Sequence, residues 1–558
     1  YEQGVFIGHR RLAIIDTSDR ASQPMSRGRF TIAHNGEIYN FVELREILEH
    51  KGVEFTTDSD TEVLINAWRN AGVDCLEELD GMFAFALFDG EVTNLVTDPF
   101  GEKPLYVIQQ DEGVYYASEP APLIKLLGLR FDPTEFELAA FLTLGFIPAP
   151  GTGYKNLQQV EPGSHIVIAN GKITKTSRYW IPAEPVVPTG KPKPVSEFQI
   201  DMVNEALIES LKVRLRSDVP MSIFLSSGVD SALMLSLLRK TKPDVKINAV
   251  SIKFANSIDE TPAASRIAEK YNADHHIIDL ENYLSELPKA ISIIKLPFWD
   301  LHWYYVVKKS QTLSKTLISG DGGDELFAGY TFRYKKFLSL TSENSNPSEK
   351  VKAYLECHER DRVPDQENIF NQKCQFSWNS IYDILLPFFD NNLSRLEQVY
   401  LADYNGKLLY NFNPINSRIT NHFKINQLAP LLNNELLTTA THIPTKYKYD
   451  VDNEIGKLPL RTILEKNNLA SLITKEKLGF NVNTINLWKL HGHDLCKEFL
   501  DDSRVVKDGW INNSWIQKHI DNPDIDVKYV NKFLGILAFE IWYRLFITKE
   551  MSSNTTLD

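Results

Sequence analysis

Cysteine is scarce in this chain. Its 558 residues include four cysteines, and no two of them form a C-x-x-C pair. This scarcity argues against a disulfide scaffold and against a structural zinc site, both of which need suitably spaced cysteines. It is typical of proteins in a reducing compartment, so we expect a cytoplasmic protein. The four are Cys75, Cys357, Cys374 and Cys496.

Long uninterrupted apolar runs are also missing. The longest late apolar segment, Leu534 to Ile547, is interrupted by Glu540 and Arg544. A membrane span needs about 20 consecutive apolar residues, so this segment predicts a packed helix, and no membrane partner is expected. No signal peptide is visible, but the sequence starts at Tyr1 without a methionine. We therefore expect it to be truncated at its front.

An excess of positive charge is missing as well. The chain has 60 Lys and Arg against 73 Asp and Glu, a net charge of −13. Such a chain offers no broad basic surface to a nucleic acid, and none is expected as a partner. The hydrophobic fraction of 43% and the charged fraction of 24% are ordinary for a globular protein. The length suggests two to four domains.

The common phosphate loop, G-x-x-x-x-G-K-[ST], does not occur. Instead, residues 224–231 (FLSSGVDS) join a predicted buried strand to an apolar-rich helix over 232–238. A glycine and the N–H groups of a helix start favour a bound anion, and a carboxylate beside a phosphate needs a metal ion between them. The pattern indicates a pyrophosphate loop with Asp230 on Mg²⁺. The alternative is an ordinary strand–turn–helix junction capped by Asp230 or Ser231.

A second loop, residues 319–330 (SGDGGDELFAGY), also follows a strand-like run, Thr316 to Ile318. Three acids and three glycines between Gly320 and Glu325 disfavour both helix and strand. Clustered carboxylates repel one another, so without a cation such a loop is destabilised. A solvated acidic turn is the alternative. Two glycine-and-acid loops at strand ends nevertheless fit one metal–nucleotide site at the carboxyl edge of a sheet.

Short alternating runs dominate the first 180 positions and predict antiparallel strands at 30–33, 82–88, 95–97, 105–108 and 114–117. Amphipathic patterns predict helices over Phe41–His50 and Thr61–Ala71, the second capped by Ser59 or Asp60. Residues 35–37 (Asn-Gly-Glu) lie between a predicted strand and the first helix. A side-chain amide beside a glycine N–H can form an oxyanion hole, although a plain Asn-Gly turn is the commoner use of this dipeptide.

The domain organisation follows from a change of pattern. Residues 182–195 are proline-rich and lack periodicity, which predicts an extended linker between a first domain (1–181) and a second (196–558). After residue 196, helical patterns alternate with strand-like runs, as in a parallel α/β sheet. The next predicted strand is Ile247–Phe254, and a helix is predicted over Thr261–Tyr271.

The two loops resemble the S-G-G-x-D-S and S-G-x-G-x-D-E loops of the glutamine-hydrolysing asparagine synthetases. The resemblance extends from residues 8–12 (GHRRL) to 477–480 (KLGF). It implies an α+β first domain of the αββα, Ntn-type glutaminase kind, which is a class II glutamine amidotransferase domain. It implies an α/β second domain with a parallel sheet of the adenine nucleotide α-hydrolase type and extra helices, which binds ATP.

In the first domain the resemblance implies a glutamine site. Arg11 would hold the α-carboxylate of glutamine, and Asp60 would bind its α-amino group. Asn35 and Gly36 would donate to the oxyanion. Taken alone, Arg11 would more often form a surface ion pair and Asp60 would cap a helix. The implied glutamine-binding residues are Arg11, Leu12, Ala13, Ile14, Ile15, Asn35, Gly36, Glu37 and Asp60.

The family's glutaminase uses an N-terminal cysteine as nucleophile, with its own α-amine as base. No cysteine of this sequence precedes Cys75, whose helix-like surroundings predict a core position. The family also has a few dozen residues ahead of the position of Gly8, more than this sequence has, in keeping with a truncated front.

In the second domain the resemblance implies cleavage of ATP between its α and β phosphates. The implied nucleotide contacts are Phe224 and Ile252 at the adenine, Ser226, Gly228 and Ser231 at the pyrophosphate, and Ser319 and Gly320 at AMP.

Four further residues take family positions of catalysis or metal binding. Asp230 and Asp324 would hold Mg²⁺. Asp321 occupies the position of an acid, often glutamate, that acts in forming or attacking the acyl-adenylate, and it is one methylene shorter. Lys477 matches a lysine that stabilises the charge on the α-phosphate. Ser227 replaces the second glycine of the loop, which places a side chain where the family has bare backbone.

The weakest match concerns the acceptor. The family segment S-L-E-x-R-x-P-F-L-D corresponds to residues 424–433 (KINQLAPLLN), where the glutamate, arginine and aspartate are replaced. The sequence therefore leaves the acceptor open, with L-aspartate as the default.

The predicted function is an ATP-dependent amidotransferase. It would activate a carboxylate as acyl-AMP, release pyrophosphate, and amidate the acyl group with glutamine-derived ammonia. The alternatives are the same chemistry on another carboxylate, such as a sugar acid or a biosynthetic intermediate, and a non-catalytic homologue. A tRNA-modifying enzyme shares the nucleotide fold but would not explain the first domain. ATP, Mg²⁺ and glutamine are implied by the resemblance, and a homodimer is an expectation from the family only.

Overall fold

The computed structural model describes residues 4–11, 15–180, 197–216, 220–358, 362–374, 376–473 and 482–557. These described residues form two compact units. The first contains those within 4–132, 149–180 and 412–417, and the second those within 133–148, 197–411 and 418–557. The predicted linker, 182–195, lies outside the described residues, so its boundaries remain a prediction.

The first unit contains two antiparallel sheets. Its strands are β1 (Met25–Arg27), β2 (Phe30–Ile38), β3 (Gly81–Phe88), β4 (Thr93–Thr97), β5 (Tyr106–Gln110), β6 (Gly113–Ala117), β7 (Gln158–Gln159), β8 (Ser164–Ala169) and β9 (Lys172–Arg178). The larger sheet has the order β1-β2-β3-β4-β8-β9, and the smaller has the order β6-β5-β7. The helices are α1 (Phe41–His50), α2 (Asp60–Ala71) and α3 (Pro120–Leu127), with 3₁₀ turns at Asp19–Ala21 and Gly72–Glu78.

The helices and sheets of the first unit form layers, with three apolar cores packed between them. On one face of the larger sheet, Leu44 of α1 and Trp68 of α2 pack with Phe85. On the opposite face, Ala84 and Leu95 pack with residues of the smaller sheet. Helix α3 covers the far side of the smaller sheet in a third core. The order helix–sheet–sheet–helix confirms the αββα arrangement expected for this domain.

The second unit is built on a parallel sheet. Its strands are β10 (Met221–Phe224), β11 (Ile247–Phe254), β12 (Asp274–Leu280), β13 (Thr316–Ile318) and β14 (Asn426–Leu428), in the order β12-β11-β10-β13-β14. Every adjacent pair is parallel. The whole of β10 and β13 is buried, as expected of central strands covered on both faces. This confirms the α/β fold with a parallel sheet.

Helices surround that sheet. Those after residue 133 are α4 (Glu135–Leu144), α5 (Glu197–Arg214), α6 (Val229–Thr241), α7 (Thr261–Lys270), α8 (Leu287–Ile294), α9 (His302–Ser310), α10 (Gly323–Leu326), α11 (Thr331–Leu340), α12 (Pro347–Glu356), α13 (Trp378–Phe389), α14 (Arg395–Asp403), α15 (Asn413–Phe423), α16 (Asn434–His442), α17 (Leu458–Lys466), α18 (Thr484–Leu487), α19 (His493–Asp501), α20 (Arg504–Lys507), α21 (Asn513–His519) and α22 (Val527–Phe546). Shorter 3₁₀ segments lie at Gln366–Ile369 and Thr445–Tyr447, and π-helical segments at Tyr404–Phe412 and Trp488–Gly492.

Residues 133–148 belong to the second unit, although the sequence placed them within a first domain of 1–181. The reason is the packing of α4, which contacts α13 and α22. Lys532 of α22 also donates from Nζ to the carbonyl of Leu142 at 2.6 Å.

Two local predictions differ from the structure. Strand β2 continues to Ile38, so residues 35–37 lie inside the strand and not between a strand and a helix. The cause is the pairing with β3, which places Asn35 opposite Ala84 and Gly36 opposite Phe83. In the acidic loop, residues 323–326 form the short helix α10 despite their glycine and acids.

The late apolar segment forms helix α22, as predicted. Its charged Glu540 is fully buried and accepts hydrogen bonds from Ser503 Oγ, from the N–H groups of Arg504 and Val505, and from Arg544 Nε, at 2.6 to 3.0 Å. Across the part of the chain that the structure describes, no helix combines the length and apolar character needed to cross a membrane.

A buried ion pair generates a stability prediction for the second unit. Arg333 and Asp403 are 2.9 Å apart, and their side chains are only 2% and 1% exposed. Asp403→Asn removes the charge that balances the buried guanidinium. We expect the free energy of unfolding to fall by about 3–5 kcal/mol, because an unpaired buried charge is strongly unfavourable. Chemical denaturation followed by tryptophan fluorescence measures this loss.

The matched control is Asp201→Asn, since Asp201 pairs with Lys466 at 2.8 Å where both side chains are about half exposed. Exposed pairs contribute little, so this variant should unfold almost like the wild type. Equal losses in the two variants would contradict the prediction.

Candidate active sites

In the first unit, Asp60 lies buried at the first position of α2. Its Oδ2 accepts from the N–H of Ile38 at 3.0 Å, and its Oδ1 accepts from that of Thr61 at 2.8 Å. Ser59 caps the helix, as predicted, by accepting from the same N–H of Thr61. Burial raises the pKa of Asp60 to about 6, although these hydrogen bonds and nearby Arg11 oppose the shift. The carboxylate therefore joins the start of α2 to the end of β2.

Arg11 lies against its own loop. Its Nη2 donates to the carbonyl of Ile15 at 2.8 Å and also to that of Asp16, and its Nη1 donates to that of Ser18 at 3.2 Å. The loop carbonyls thus use part of the five-donor guanidinium, and a carboxylate ligand would share it with them. The predicted neighbours Leu12, Ala13 and Ile14 lie outside the described residues.

Asn35, Gly36 and Glu37 share one end of β2. Gly36 has φ +136°, and a Cβ at this position would overlap the carbonyl oxygen of Met82 on β3. The close approach of the two strands therefore requires glycine here. Asn35 and Gly36 are half-buried, whereas Glu37 is buried. Since Ile38 next to them binds Asp60, the structure brings the predicted oxyanion and amino-group residues to one region.

Asp98 is a residue of this region that the sequence analysis missed. It is fully buried at the end of β4, and its carboxylate accepts from the N–H groups of Phe83, Phe100, Glu102 and Lys103 at 2.9 to 3.2 Å. Burial raises its pKa to about 6 against the effect of these bonds. The available sequence signal is the run Asp98-Pro99-Phe100-Gly101. An aspartate ahead of a proline and a glycine often accepts the backbone N–H groups of a turn.

In the second unit, residues 225–228 join β10 to α6 and form hydrogen bonds with one another and with Ser231. Ser231 Oγ accepts from the N–H of Ser226 at 3.1 Å and lies 3.1 Å from Ser226 Oγ. Ser226 Oγ in turn accepts from the N–H of Gly228, the residue before the helix, at 3.1 Å. The loop thus places two hydroxyls and a glycine at the start of α6, where the N–H groups favour an anion.

Ser227 does not occupy this concave side of the loop. It is buried at 1% exposure, and its N–H donates to Glu260 Oε2 at 3.4 Å. The departure from the family's second glycine is therefore accommodated on the side facing Glu260.

Phe224, Ser226 and Ile252 line one cavity of about 370 Å³ that is open to solvent. Phe254, Ile258 and Glu260 contribute to the same walls. Its walls mix apolar side chains with the polar Ser226, Ser251, Glu260 and Thr261, and such a mixed pocket suits a nucleobase beside a phosphate loop.

The second loop packs tightly on the first. A Cβ at Gly320 would lie 2.7 Å from the Cβ of Asp230, and one at Gly323 would lie 2.5 Å from Asp230 Oδ1. Side chains at these two positions would push the loops apart. The two glycine-and-acid loops therefore meet at the carboxyl edge of the sheet, as the sequence predicts.

The carboxylates of Asp230 and Asp324 both contact the ammonium of Lys457. Lys457 Nζ lies 2.7 Å from Asp324 Oδ1, and it forms a second ion pair with Asp230 Oδ2. Burial alone would lower the pKa of Lys457, but the two carboxylates outweigh burial and raise it. Two acids that share one cation also fit Mg²⁺, which proteins bind through one or two carboxylates together with phosphate oxygens.

Lys457 is anchored by its own backbone. It lies in the left-handed region at φ 58°, directly before α17, and its N–H donates to the carbonyl of Phe327 at 2.9 Å. The sequence alone assigned Lys457 no role in this site.

Asp321 has two donors on one oxygen. Ser319 Oγ donates to Asp321 Oδ2 at 3.0 Å, and Gln427 Nε2 donates to the same oxygen at 2.7 Å. The sequence pattern indicated Asp321 for this site but gave no signal for Gln427. Lys477 lies in 474–481, outside the described residues, and its role remains a prediction.

The whole chain was compared with known proteins. Residues 1–180 match the family model of the glutamine amidotransferase domain, and residues 202–544 match that of asparagine synthase. The chain belongs to the asparagine synthase family. As a member it is an ATP-dependent, glutamine-hydrolysing ligase, and the family resemblance predicted from its loops is confirmed.

Three relatives illustrate the range of this asparagine synthase family. Glutamine-hydrolyzing asparagine synthetase 1 of Bacillus subtilis is 29% identical over 98% of this chain and 91% of its own. The putative glutamine-hydrolyzing asparagine synthetase 2 of Methanocaldococcus jannaschii is 30% identical over 59% of this chain and 69% of its own. Amidase chry2 of Gibberella zeae is 28% identical over 58% of this chain and 51% of its own.

In residues 424–433, which correspond to the family segment S-L-E-x-R-x-P-F-L-D, the three altered residues have structural roles. Asn426 and Leu428 are buried in β14, and Asn433 caps α16 by accepting from the N–H of Leu436 at 3.0 Å. The uncharged replacements therefore serve the sheet and a helix end.

The raised pKa of Asp60 generates a pH prediction. The folded pKa of about 6 lies above the ordinary value of 3.8, so between these values the folded chain binds more protons than the unfolded chain. The contribution of Asp60 to stability therefore falls as the pH rises from about 4 to about 6. Asp60→Asn removes this dependence, and its stability relative to wild type should rise over that range by up to about 3 kcal/mol.

Denaturation curves of both proteins at four pH values between 4 and 7 measure the difference. Asp58→Asn is the matched control because its side chain is 86% exposed. A stability difference between Asp60→Asn and wild type that does not change with pH would contradict the prediction.

The close contact at Gly329 generates a second prediction. A Cβ there would overlap Asp324 Oδ1 and Lys457 Cε. Gly329→Ala should displace both groups and weaken the binding of ATP in the presence of Mg²⁺ by at least about 10-fold, since the loss of one charged contact corresponds to about 1.5–3 kcal/mol. Isothermal titration calorimetry measures the affinity.

Gly535→Ala on α22 is the control, because a Cβ there meets no atom within 4 Å. It should bind like the wild type. Unchanged affinity in a folded Gly329→Ala protein would show that the contact does not matter for the nucleotide.

Proposed function

We propose that this chain forms an amide from a carboxylate, using ATP to activate the carboxylate and glutamine as the nitrogen donor. The carboxylate oxygen would attack the α-phosphorus of ATP, and pyrophosphate would leave. Ammonia would then attack the acyl carbon of the acyl-adenylate, and AMP would leave with the bond electrons.

The convergence of Asp230 and Asp324 on one cation supports this proposal most directly. It lies beside the serine loop, defined as residues 225–228, and the cavity that Phe224 and Ile252 line. Cleavage of ATP between its α and β phosphates produces a highly charged leaving group, which needs positive charge and N–H donors around it. Ser226 and Ser231 bring two hydroxyls to the start of α6, where helix N–H groups favour an anion, and Lys457 offers a buried positive charge.

Roles follow for the residues of the second unit. Phe224 and Ile252 would contact the adenine, and Ser319 and Gly320 would contact AMP. Asp230 and Asp324 would hold Mg²⁺, which supplies charge neutralisation at the pyrophosphate when bound. Asp321 would act where the acyl-adenylate forms or is attacked, and Lys477 would stabilise charge on the α-phosphate.

In the first unit, the proposed glutamine site uses opposite charges at the two ends of the amino acid. Asp60 would bind the α-ammonium and Arg11 the α-carboxylate, while Asn35 and Gly36 would donate to the oxyanion. With a pKa of about 6, Asp60 is ionised at pH 7 and accepts a cation there. Glutamine affinity should consequently weaken as the pH falls below 6.

L-aspartate is the proposed acceptor because a relative that matches 98% of this chain is an asparagine synthetase by name. A second candidate is another carboxylate. Leu428 and Asn433 stand where the family has an arginine and an aspartate, and both have structural roles, so these positions offer no charge to a second carboxylate of a substrate.

Release of AMP and pyrophosphate, measured with ATP, Mg²⁺, aspartate and ammonium, tests the function. Ammonium replaces the glutaminase step, so the assay reports on the second unit alone. We expect asparagine and AMP in equal amounts. Asp324→Asn should reduce the rate to background, and Asp524→Asn, an exposed aspartate of the same unit, should not.

Each other result has a definite meaning. ATP binding without aspartate-dependent AMP release would overturn aspartate as acceptor, and a panel of sugar acids and amino-acid carboxylates would then be tested in the same assay. Absence of Mg²⁺-dependent ATP binding would overturn the catalytic proposal and favour a non-catalytic homologue.

A further inference from the structure

Gln427 lies at the carboxyl edge of the parallel sheet, where the nucleotide loops meet. Strands β13 and β14 are parallel neighbours, with Leu317 opposite Gln427 and Ile318 opposite Leu428. The N–H of Ser319 extends this pairing by donating to the carbonyl of Leu428 at 3.0 Å. The end of β14 is thereby fixed against the start of the acidic loop.

The side chain of Gln427 spans the gap to that loop. Its Nε2 donates to Asp321 Oδ2 at 2.7 Å and lies 3.2 Å from Ser319 Oγ. Ser319 Oγ itself donates to Asp321 Oδ2 at 3.0 Å. The three side chains form a closed triangle of hydrogen bonds in which one carboxylate oxygen accepts twice. Such an arrangement restricts rotation of the carboxylate about its last bond.

We propose that Gln427 is a positioning residue for Asp321, and that the two side chains form a pair of matched length. The inference rests on the proposed function, in which Asp321 acts at the acyl-adenylate. Aspartate reaches one methylene less far than the glutamate that the family often has at this position. The amide of Gln427 fixes the shorter acid at a defined place in the site.

The sheet does not need this side chain for its core. The neighbours Asn426 and Leu428 are buried, whereas Gln427 is half-buried and directs its amide to the loop. Replacing the amide should therefore leave the strand pairing intact and act on Asp321.

The first test is Gln427→Met, which keeps the length of the side chain and removes the donors. We expect kcat for AMP release to fall by about 10- to 100-fold, because small displacements of a catalytic group have effects of this size. The KM for ATP and the affinity for ATP should change little. Gln311→Met is the matched control, since Gln311 donates to the carbonyl of Phe423 at 3.1 Å, before the other end of β14.

The second test changes the lengths of the Gln427 and Asp321 side chains. Asp321→Glu adds a methylene where the amide of Gln427 already lies 2.7 Å from the acid, so the longer side chain is crowded. Gln427→Ala removes this crowding. We expect Gln427→Ala to lower kcat in the wild-type background and to raise it in the Asp321→Glu background. A purely structural glutamine would give a loss in both backgrounds.

The outcomes separate the two proposals. If the wild type is active and Gln427→Met has the same kcat as Gln311→Met, the positioning role is overturned and the proposed function stands. If Gln427→Met lowered both the affinity for ATP and kcat, the glutamine would have a structural role, and the positioning role would be overturned. A wild type without turnover on any acceptor would overturn the proposed function and this inference with it.

Discussion

The shared contact of Asp230 and Asp324 with Lys457 is the interaction on which the second unit's site depends. Each acid comes from a different loop, and Asp230 and Lys457 are 227 positions apart in the chain. Two carboxylates forced together by Gly320 and Gly323 would repel each other, and the ammonium removes that repulsion. A divalent cation bound by the same carboxylates would compete with the ammonium for their oxygens, so the metal affinity would include the cost of moving the ammonium aside within the site.

The buried acids of the first unit also depend on partners that offset the cost of burial. Asp60 and Asp98 are surrounded by backbone N–H groups, which partly offset the desolvation that raises the pKa of each. Asp98 gathers the N–H groups of a turn and of β3, and Asp60 joins a strand to a helix. Each carboxylate thereby binds the backbone of an element other than the one that carries it. The bond from Ile38 thus holds Asp60 beside the end of β2 that carries Asn35, Gly36 and Glu37.

Local sequence pattern was sufficient for much of the fold. Helix α1 has its predicted bounds, β11 and β13 have theirs, and Ser59 caps α2. These features depend on periodicity and capping within a few residues. The two loops of the nucleotide site were also evident, because a glycine-rich acidic stretch between a strand and a helix needs a special explanation.

What the sequence did not show depends on distant contacts. The extension of β2 through Asn35 and Gly36 requires a partner strand more than 40 residues away, and only the pairing with β3 shows it. Gln427 falls on a position that the family pattern leaves unspecified, and its role depends on a bond to Asp321, which is 106 positions away. Lys457 lies far from both loops in the sequence, and its two acidic partners are visible only in the folded chain.

The strand order of the parallel sheet has a consequence for how the site forms. Strand β10 lies in the middle of the sheet, but β13 and β14 join it from much later in the chain. Contacts between residues far apart in sequence form slowly because long loops must first close. The serine loop is therefore synthesised well before β13 and β14. Until β13 has paired, the growing chain exposes an unpaired edge of the central strand β10, and such edges favour aggregation.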